Sequence, residues 1–349
     1  MGQGCVSLSS GGGSGAQTSG PAGVFVSEDK GENWKQVSQL PTLEGVKTLS
    51  QVSVYRLVND PQDDKAMYWL SRGHGLFYSY NNGKSWRAAE GKLSTGFIYA
   101  AAVHPENKCA IVATNGGEVY QSNDCGRTWE EIYRESRTDV RVNSLAYNPF
   151  RPYEIFMGES NGDLLESDDN GVAWQVVHRF KSGVAQVETD PISEGVLYAA
   201  TRKHGLHRSE DGGVTWISTK DALDEFPDAN EYRRFVIHPE KTNILYWIST
   251  YGILVSGDRG DTWNPINLIT PPGSAQIYGF AVNPNNEREL YYTATINNRS
   301  TFYTSMDGGQ RWKTNKLPSG QLPTVIRVDP ETDTTIYIGF TIPPRGTKI

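Results

Sequence analysis

Three carboxylates, Glu118, Glu159 and Asp163, stand in short loops, TNGGE (114–118) and ESNGD (159–163), between apolar segments. Paired carboxyl groups can share acid and base duties in glycoside hydrolysis, so these three are the catalytic candidates if the chain is a hydrolase. The competing reading is that each is a turn-forming acid. Similar loops and linking segments collect Arg72, His74, Arg141, Arg202, Lys203, His204, Arg233, Arg234 and Arg299, with Tyr232, Tyr251 and Tyr278 among them. Arginine pairs with carboxylates through two parallel hydrogen bonds and stacks on aromatic rings. This set therefore points to an acidic partner, against the alternative of solvated loop charges. His74 and His204 both precede Gly-Leu, so packing within a repeat competes with a functional role. Two histidines on separated segments make a poor metal set, and neither metal nor cofactor is expected. There is no Gly-rich phosphate loop, Ser-His-Asp wording or CxxC pair.

The elements that position these loops come from a repeat. Ser-x-Asp-x-Gly-x-x-Trp recurs seven times: SEDKGENW, SYNNGKSW, SNDCGRTW, SDDNGVAW, SEDGGVTW, SGDRGDTW and SMDGGQRW, beginning at Ser27, Ser79, Ser122, Ser167, Ser209, Ser256 and Ser305. The acid position is Asp29, Asn81, Asp124, Asp169, Asp211, Asp258 and Asp307. The closing residue is Trp34, Trp86, Trp129, Trp174, Trp216, Trp263 and Trp312, seven of the nine tryptophans. An Asp side chain can accept from backbone amides just ahead of it, and Gly two residues on tolerates positive φ, so each box reads as a tight hairpin turn. Each Trp is expected to open the next strand and bury its ring on the hairpin. Asn81 keeps one acceptor oxygen without the charge, which weakens the second box.

A polar residue followed by Pro recurs in phase, at Pro61, Pro105, Pro149, Pro191, Pro239, Pro284 and Pro330. Apolar segments flank each pair, for example RRFVI before and ILYWI after, and a third runs into the box. Every repeat thus predicts a four-stranded meander, and four strands every 42 to 48 residues is a propeller blade. The fold class expected is all-β, a seven-bladed β-propeller. The first box has no strands one and two before it, and the last Pro turn has no box after it. Residues 322 to 340 should therefore supply two inner strands, and residues 23 to 38 two outer strands, of one shared blade. Such closure removes open sheet edges. The Pro turns and boxes then share one end of the molecule, and the candidate site loops share the other.

Composition agrees: 37% hydrophobic residues with 36 Gly, 18 Tyr and 9 Trp suit many short strands. A formal charge of -7 argues against nucleic acid, which needs a basic footprint. No apolar run approaches the roughly 18 residues of a membrane helix. Residues 1–22 are Gly/Ser-rich and read as a flexible tether, leaving 23–349 as one propeller. Cys5, after a small residue and before such a tether, resembles a lipoprotein N-terminus whose signal peptide has been replaced. That implies an exported, membrane-anchored monomer, touching the membrane only through lipid on Cys5; a cloning remnant or plain tail is the alternative. Cys109 and Cys125 could be brought together across a hairpin as a disulfide, which export permits, or remain two unrelated thiols.

GLFYSYNNGKSW, GLHRSEDGGVTW and their relatives resemble the Asp-box (BNR) repeats of sialidases, sortilin-type receptors, xyloglucanase-type glycosidases and photosystem II assembly and stability factors. The single compact ring is most similar to the assembly-factor type. That resemblance implies a non-catalytic scaffold engaging a protein partner with an acidic surface. Xyloglucanase-type enzymes share the GL-x-x-S-x-DGG-x-TW wording, which makes a glycan-active or glycan-binding propeller, with a polysaccharide partner, the alternative. The sialidase Phe/Tyr-Arg-Ile-Pro segment has only VIRVDP (325–330) as its nearest string.

Overall fold

The computed structural model describes residues 19–343. Cys5 and most of the Gly/Ser-rich segment lie outside them. The regular structure is almost entirely strand, with one helical turn at Gly91–Leu93 and another at Lys220–Leu223.

Strands pair antiparallel in groups of four. The group opened by Val54–Asp60 continues through Asp63–Gly73, Leu76–Ser79 and Arg87–Ala88. Groups opened by Gly96–Val103, Val142–Asn148, Val184–Thr189, Tyr232–Ile237 and Gln276–Asn283 repeat the pattern. A further sheet combines both ends of the chain: Leu322–Val328 and Ile336–Thr341 pair with each other, and Ile336–Thr341 pairs with Gly23–Ser27 from Gly23↔Phe340 to Ser27↔Ile336. Lys35–Gln36 completes that sheet. The groups opened by Val54 and Gly96 are joined into one sheet by Arg72↔Phe97 and Gly73↔Gly96. Apolar clusters lie between consecutive groups, as where Tyr246 and Ile248 meet Phe280 and Tyr292.

Each box is built as its residue types demand, with one addition. The Asp or Asn Oδ1 accepts from the amide four residues on, at 2.8–3.0 Å. The box Ser is a second hub: its Oγ donates to the same Oδ1 and accepts from the box Gly amide at 2.8–3.0 Å. The fourth box residue takes a left-handed conformation, from φ 57° at Asn82 to 76° at Gly308. That turns its amide onto a Pro-turn carbonyl in every group: Lys30 to Thr334, Asn82 to Lys65, Cys125 to Cys109, Asn170 to Tyr153, Gly212 to Gly195, Arg259 to Asn243 and Gly308 to Arg288, all within 2.8–3.1 Å. At Cys125 a disulfide to Cys109 duplicates the bond. Boxes and Pro turns therefore share one end.

Ring burial departs from the uniform expectation. Trp86 and Trp263 are fully buried, whereas Trp34, Trp129, Trp174, Trp216 and Trp312 are half-buried. The rings differ in their partners, and Trp312, which donates to the Asn267 carbonyl of the adjoining group (2.7 Å), stays half-buried. Trp86 donates to the Val37 carbonyl of the adjoining sheet and packs edge-on against Trp69, while Trp129, Trp174 and Trp216 donate only to their own box Gly.

Candidate functional site

The opposite end is assembled from the turns between second and third strands and the links that enter each first strand. Backbone bonds tie them together: Ser160 N–H to Arg141 (2.8 Å), Arg202 to Gly183 (3.0 Å), Val142 to Gly116 (2.9 Å) and Gly273 to Tyr251 (3.1 Å). Every first strand carries a register shift near its start, skipping Tyr55, Tyr99, Asn143, Ala185, Arg233, Tyr278 and Thr324. A bulge of this kind re-aims the side chain it carries.

The result is a surface of arginine on aromatic rings. Arg72 lies over Phe97 (5.2 Å), Arg141 over Tyr99 (6.0 Å), Arg233 over Tyr278 (5.1 Å) and Arg56 over Tyr55 (5.4 Å). Phe97 stacks on Tyr99 and meets Tyr55 edge-on. Arg72, Arg141, Arg202, Lys203 and Arg299 are exposed, and Arg233 is half-buried with Nη1 unpartnered. Tyr251 packs on Phe226. Arg234 and Tyr232 depart from the surface set: they alternate with Arg233 and turn inward. Arg234 donates to the Thr324 carbonyl (2.9 Å) and the Tyr232 hydroxyl to Gln186. Arg56 similarly reaches the Ala185 carbonyl of a distant first strand (3.4 Å), so the first strands converge on a common axis. His74 and His204 hold matched turns, their amides bonded to Ser71 and Thr201, whose hydroxyls donate to Gly75 and Gly205.

The carboxylates are held by guanidinium groups. Glu118 pairs with Arg134 and accepts from Tyr120. Glu159, fully buried, accepts from Arg137 (2.9 Å) and Tyr133 (3.1 Å). Asp163 accepts from Arg137 (3.1 Å) and Arg179 (3.2 Å). Arg137 also clamps Glu135 through two nitrogens, at 2.7 and 2.9 Å. Burial first, then the neighbouring Glu135 carboxylate, pushes Glu159 up to about 7, and Arg137 holds Glu135 well below its ordinary range. Glu159 occupies the position at which Val184 and Tyr232 groups carry Thr201 and Ser249. Among the described residues no group of His, Cys, Asp and Glu is arranged to hold a metal.

Residues 22–138 match the Sortilin-Vps10 family (Sortilin, neurotensin receptor 3). The probable oligoxyloglucan-reducing end-specific xyloglucanase of Neosartorya fischeri is 33% identical over 252 residues, covering 58% of this chain and 31% of that protein. The crystal structure of the GH74 xyloglucanase from Xanthomonas campestris superposes with a TM-score of 0.66 at 17% identity, over 83% of this chain and 51% of the other. The structure of YCF48 bound to D1 peptide gives 0.64 at 14% identity, over 89% of this chain and 96% of the other. The chain is a β-propeller of the Asp-box type.

This propeller spans about a third or less of the length of the curated relatives it matches. Several of its site residues escaped sequence reading. Tyr55, Arg56, Phe97 and Tyr99 look like ordinary strand residues; a register shift carries Tyr55 and Tyr99 to the site, and the pairing of Phe97 with Arg72 brings that ring there. Glu135 and Arg137 sit in an unremarkable link, RESRTD (134–139), whose sole signal is its charge density.

A carboxyl whose proton is held more tightly in the folded state costs stability as pH rises. For Glu159 the loss begins above its ordinary 4.5 and is complete above about 7. Glu166, pushed up to about 7 by burial and Glu154, titrates in the same window. Glu159→Gln should therefore remove part of the stability lost between pH 5 and 8, about 1–2 kcal/mol, as read from denaturant midpoints across that range. An unchanged pH slope would show that Glu159 is ionised throughout.

Proposed function

We propose that this propeller is a non-catalytic binding scaffold that takes an acidic protein partner on its arginine-and-aromatic end. The observation that carries this reading is the asymmetry in charge pairing. Glu118, Glu159 and Asp163 are all engaged by arginine, whereas Arg72, Arg141 and Arg233 face the open end with aromatic rings beneath them, and neither they nor Arg202 has a carboxylate in an ion pair among the described residues. Guanidinium on an aromatic platform is a recurring anchor at protein interfaces. YCF48, of similar fold, binds a peptide.

A glycan-active function is the second reading, favoured by the 33% identity to a xyloglucanase. The two separate cleanly. Arg72→Glu, Arg141→Glu and Arg233→Glu together should weaken binding of an immobilised acidic peptide at least tenfold, with the thermal transition retained. Reducing-end release from xyloglucan that disappears in Glu159→Gln would instead support the enzyme.

The same proposal includes a seven-bladed ring closed by the shared sheet of Gly23–Ser27, Lys35–Gln36, Leu322–Val328 and Ile336–Thr341. Five register pairs, Gly23↔Phe340 to Ser27↔Ile336, and the Lys30–Thr334 bond support it. Removing residues 322–349 should expose the Ser27–Trp34 box to limited proteolysis and abolish cooperative unfolding; a truncated chain of unchanged thermal transition refutes closure.

Export with a lipid on Cys5 completes the proposal, supported by the Cys109–Cys125 disulfide, a bond suited to an oxidising compartment. Intact mass of protein made with a native leader reads it: acylated Cys5 is expected, and an unmodified N-terminus overturns it.

A further inference from the structure

The end built from boxes and Pro turns is strongly acidic. Taking each Pro turn as seven residues from the polar residue before its Pro, the seven turns and seven boxes carry 24 carboxylates against 10 basic side chains, a net -14 within a chain of -7. One place breaks this pattern. Between the groups opened by Val54 and Gly96 lies a cavity of about 220 Å³, lined by Tyr78, Tyr80, Arg87, Lys108 and Arg127, with Asp63 its single acid. Among the described residues none of these three cations takes part in an ion pair.

The corresponding place between the groups opened by Val184 and Tyr232 shows what is missing. There Arg208 pairs with Asp261 (2.9 Å) and Glu210 (3.1 Å), and Arg259 lies 3.9 Å from Glu210. Glu210 is the second residue of its box and Asp261 the sixth. In the two boxes beside the cavity, those positions are Tyr80 and Arg127, and the first of these boxes also has Asn81 in place of Asp. The interface that neutralises its own cations with two carboxylates has a sister that lacks both and supplies only Asp63, from the Pro turn.

We propose that this cavity binds a small organic phosphate or sulfate ester, its anionic group among Arg87, Lys108 and Arg127 where the sister interface places Glu210 and Asp261. Three cations against one acid favour a doubly charged group, and guanidinium forks match its oxygens. The ring or carbon skeleton lies on Tyr78 and Tyr80, whose centroids are 5.6 Å apart. The wall is fixed in advance: the Tyr80 hydroxyl donates to the Cys125 carbonyl (2.9 Å), and Cys125 is bonded to Cys109. The volume is below that of a drug-sized pocket, which limits the ligand to a compact molecule. This site lies at the opposite end from the proposed partner surface and does not depend on it.

Calorimetric titration of the full chain with phenyl phosphate at pH 8, with phenol as the uncharged control, tests the site. Phenyl phosphate is expected to bind at one site at least tenfold tighter than phenol. Arg87→Gln with Arg127→Gln should lower that affinity at least tenfold, and Tyr80→Glu with Arg127→Asp, which rebuilds the sister interface, should abolish it. Both arginines are exposed, so the glutamine pair decides the matter if the rebuilt variant fails to fold. Binding no tighter than phenol, or unaltered by the glutamine pair, overturns the proposal.

Discussion

The backbone bond from the fourth box residue to the Pro turn is the constraint on which the other features rest. It requires a left-handed residue at a fixed point in the hairpin, and the Ser and Asp side chains hold that point by satisfying the amides the turn leaves over. A turn so bonded locally does not need the core to fix it. Because it joins the third strand to the first two, it also sets the register of the whole group. Lys30 makes this bond to Thr334, more than three hundred residues away in sequence, with the geometry of the six local cases.

Pinning one end leaves the other to vary. The turns and boxes at the pinned end carry 24 of the chain's 40 carboxylates. At the far end two of the links carry helical turns, Gly91–Leu93 and Lys220–Leu223, each with its Leu buried in the core. Loops carried on a rigid scaffold are where binding groups accumulate.

The Trp positions show the limit of reading a repeat as uniform. All seven rings occupy the same place in the box, yet only Trp86 and Trp263 are fully covered. Glu159 is a similar case. Its position in the repeat belongs elsewhere to Ser or Thr, and its burial is tolerated because Arg137 and Tyr133 from the adjoining group reach it.

From sequence alone the strand class, the turn chemistry, the repeat and the sharing of one sheet between the two ends of the chain were legible, since each depends on residues close together or on counting a period. The candidate cations and carboxylates were also named there, because loop residues between apolar segments are visible as such. Tertiary structure decided which of them do what. The bulges in the first strands bring Tyr55 and Tyr99 under the arginines, and pairing across two groups brings Phe97 under Arg72, while strand alternation turns Arg234 and Tyr232 inward. Arg134, Arg137 and Arg179 occupy the carboxylates, all three arriving from a link or outer strands with no motif. Pairing of charges across sheets is a property of distance in space, and no local pattern of residues encodes it.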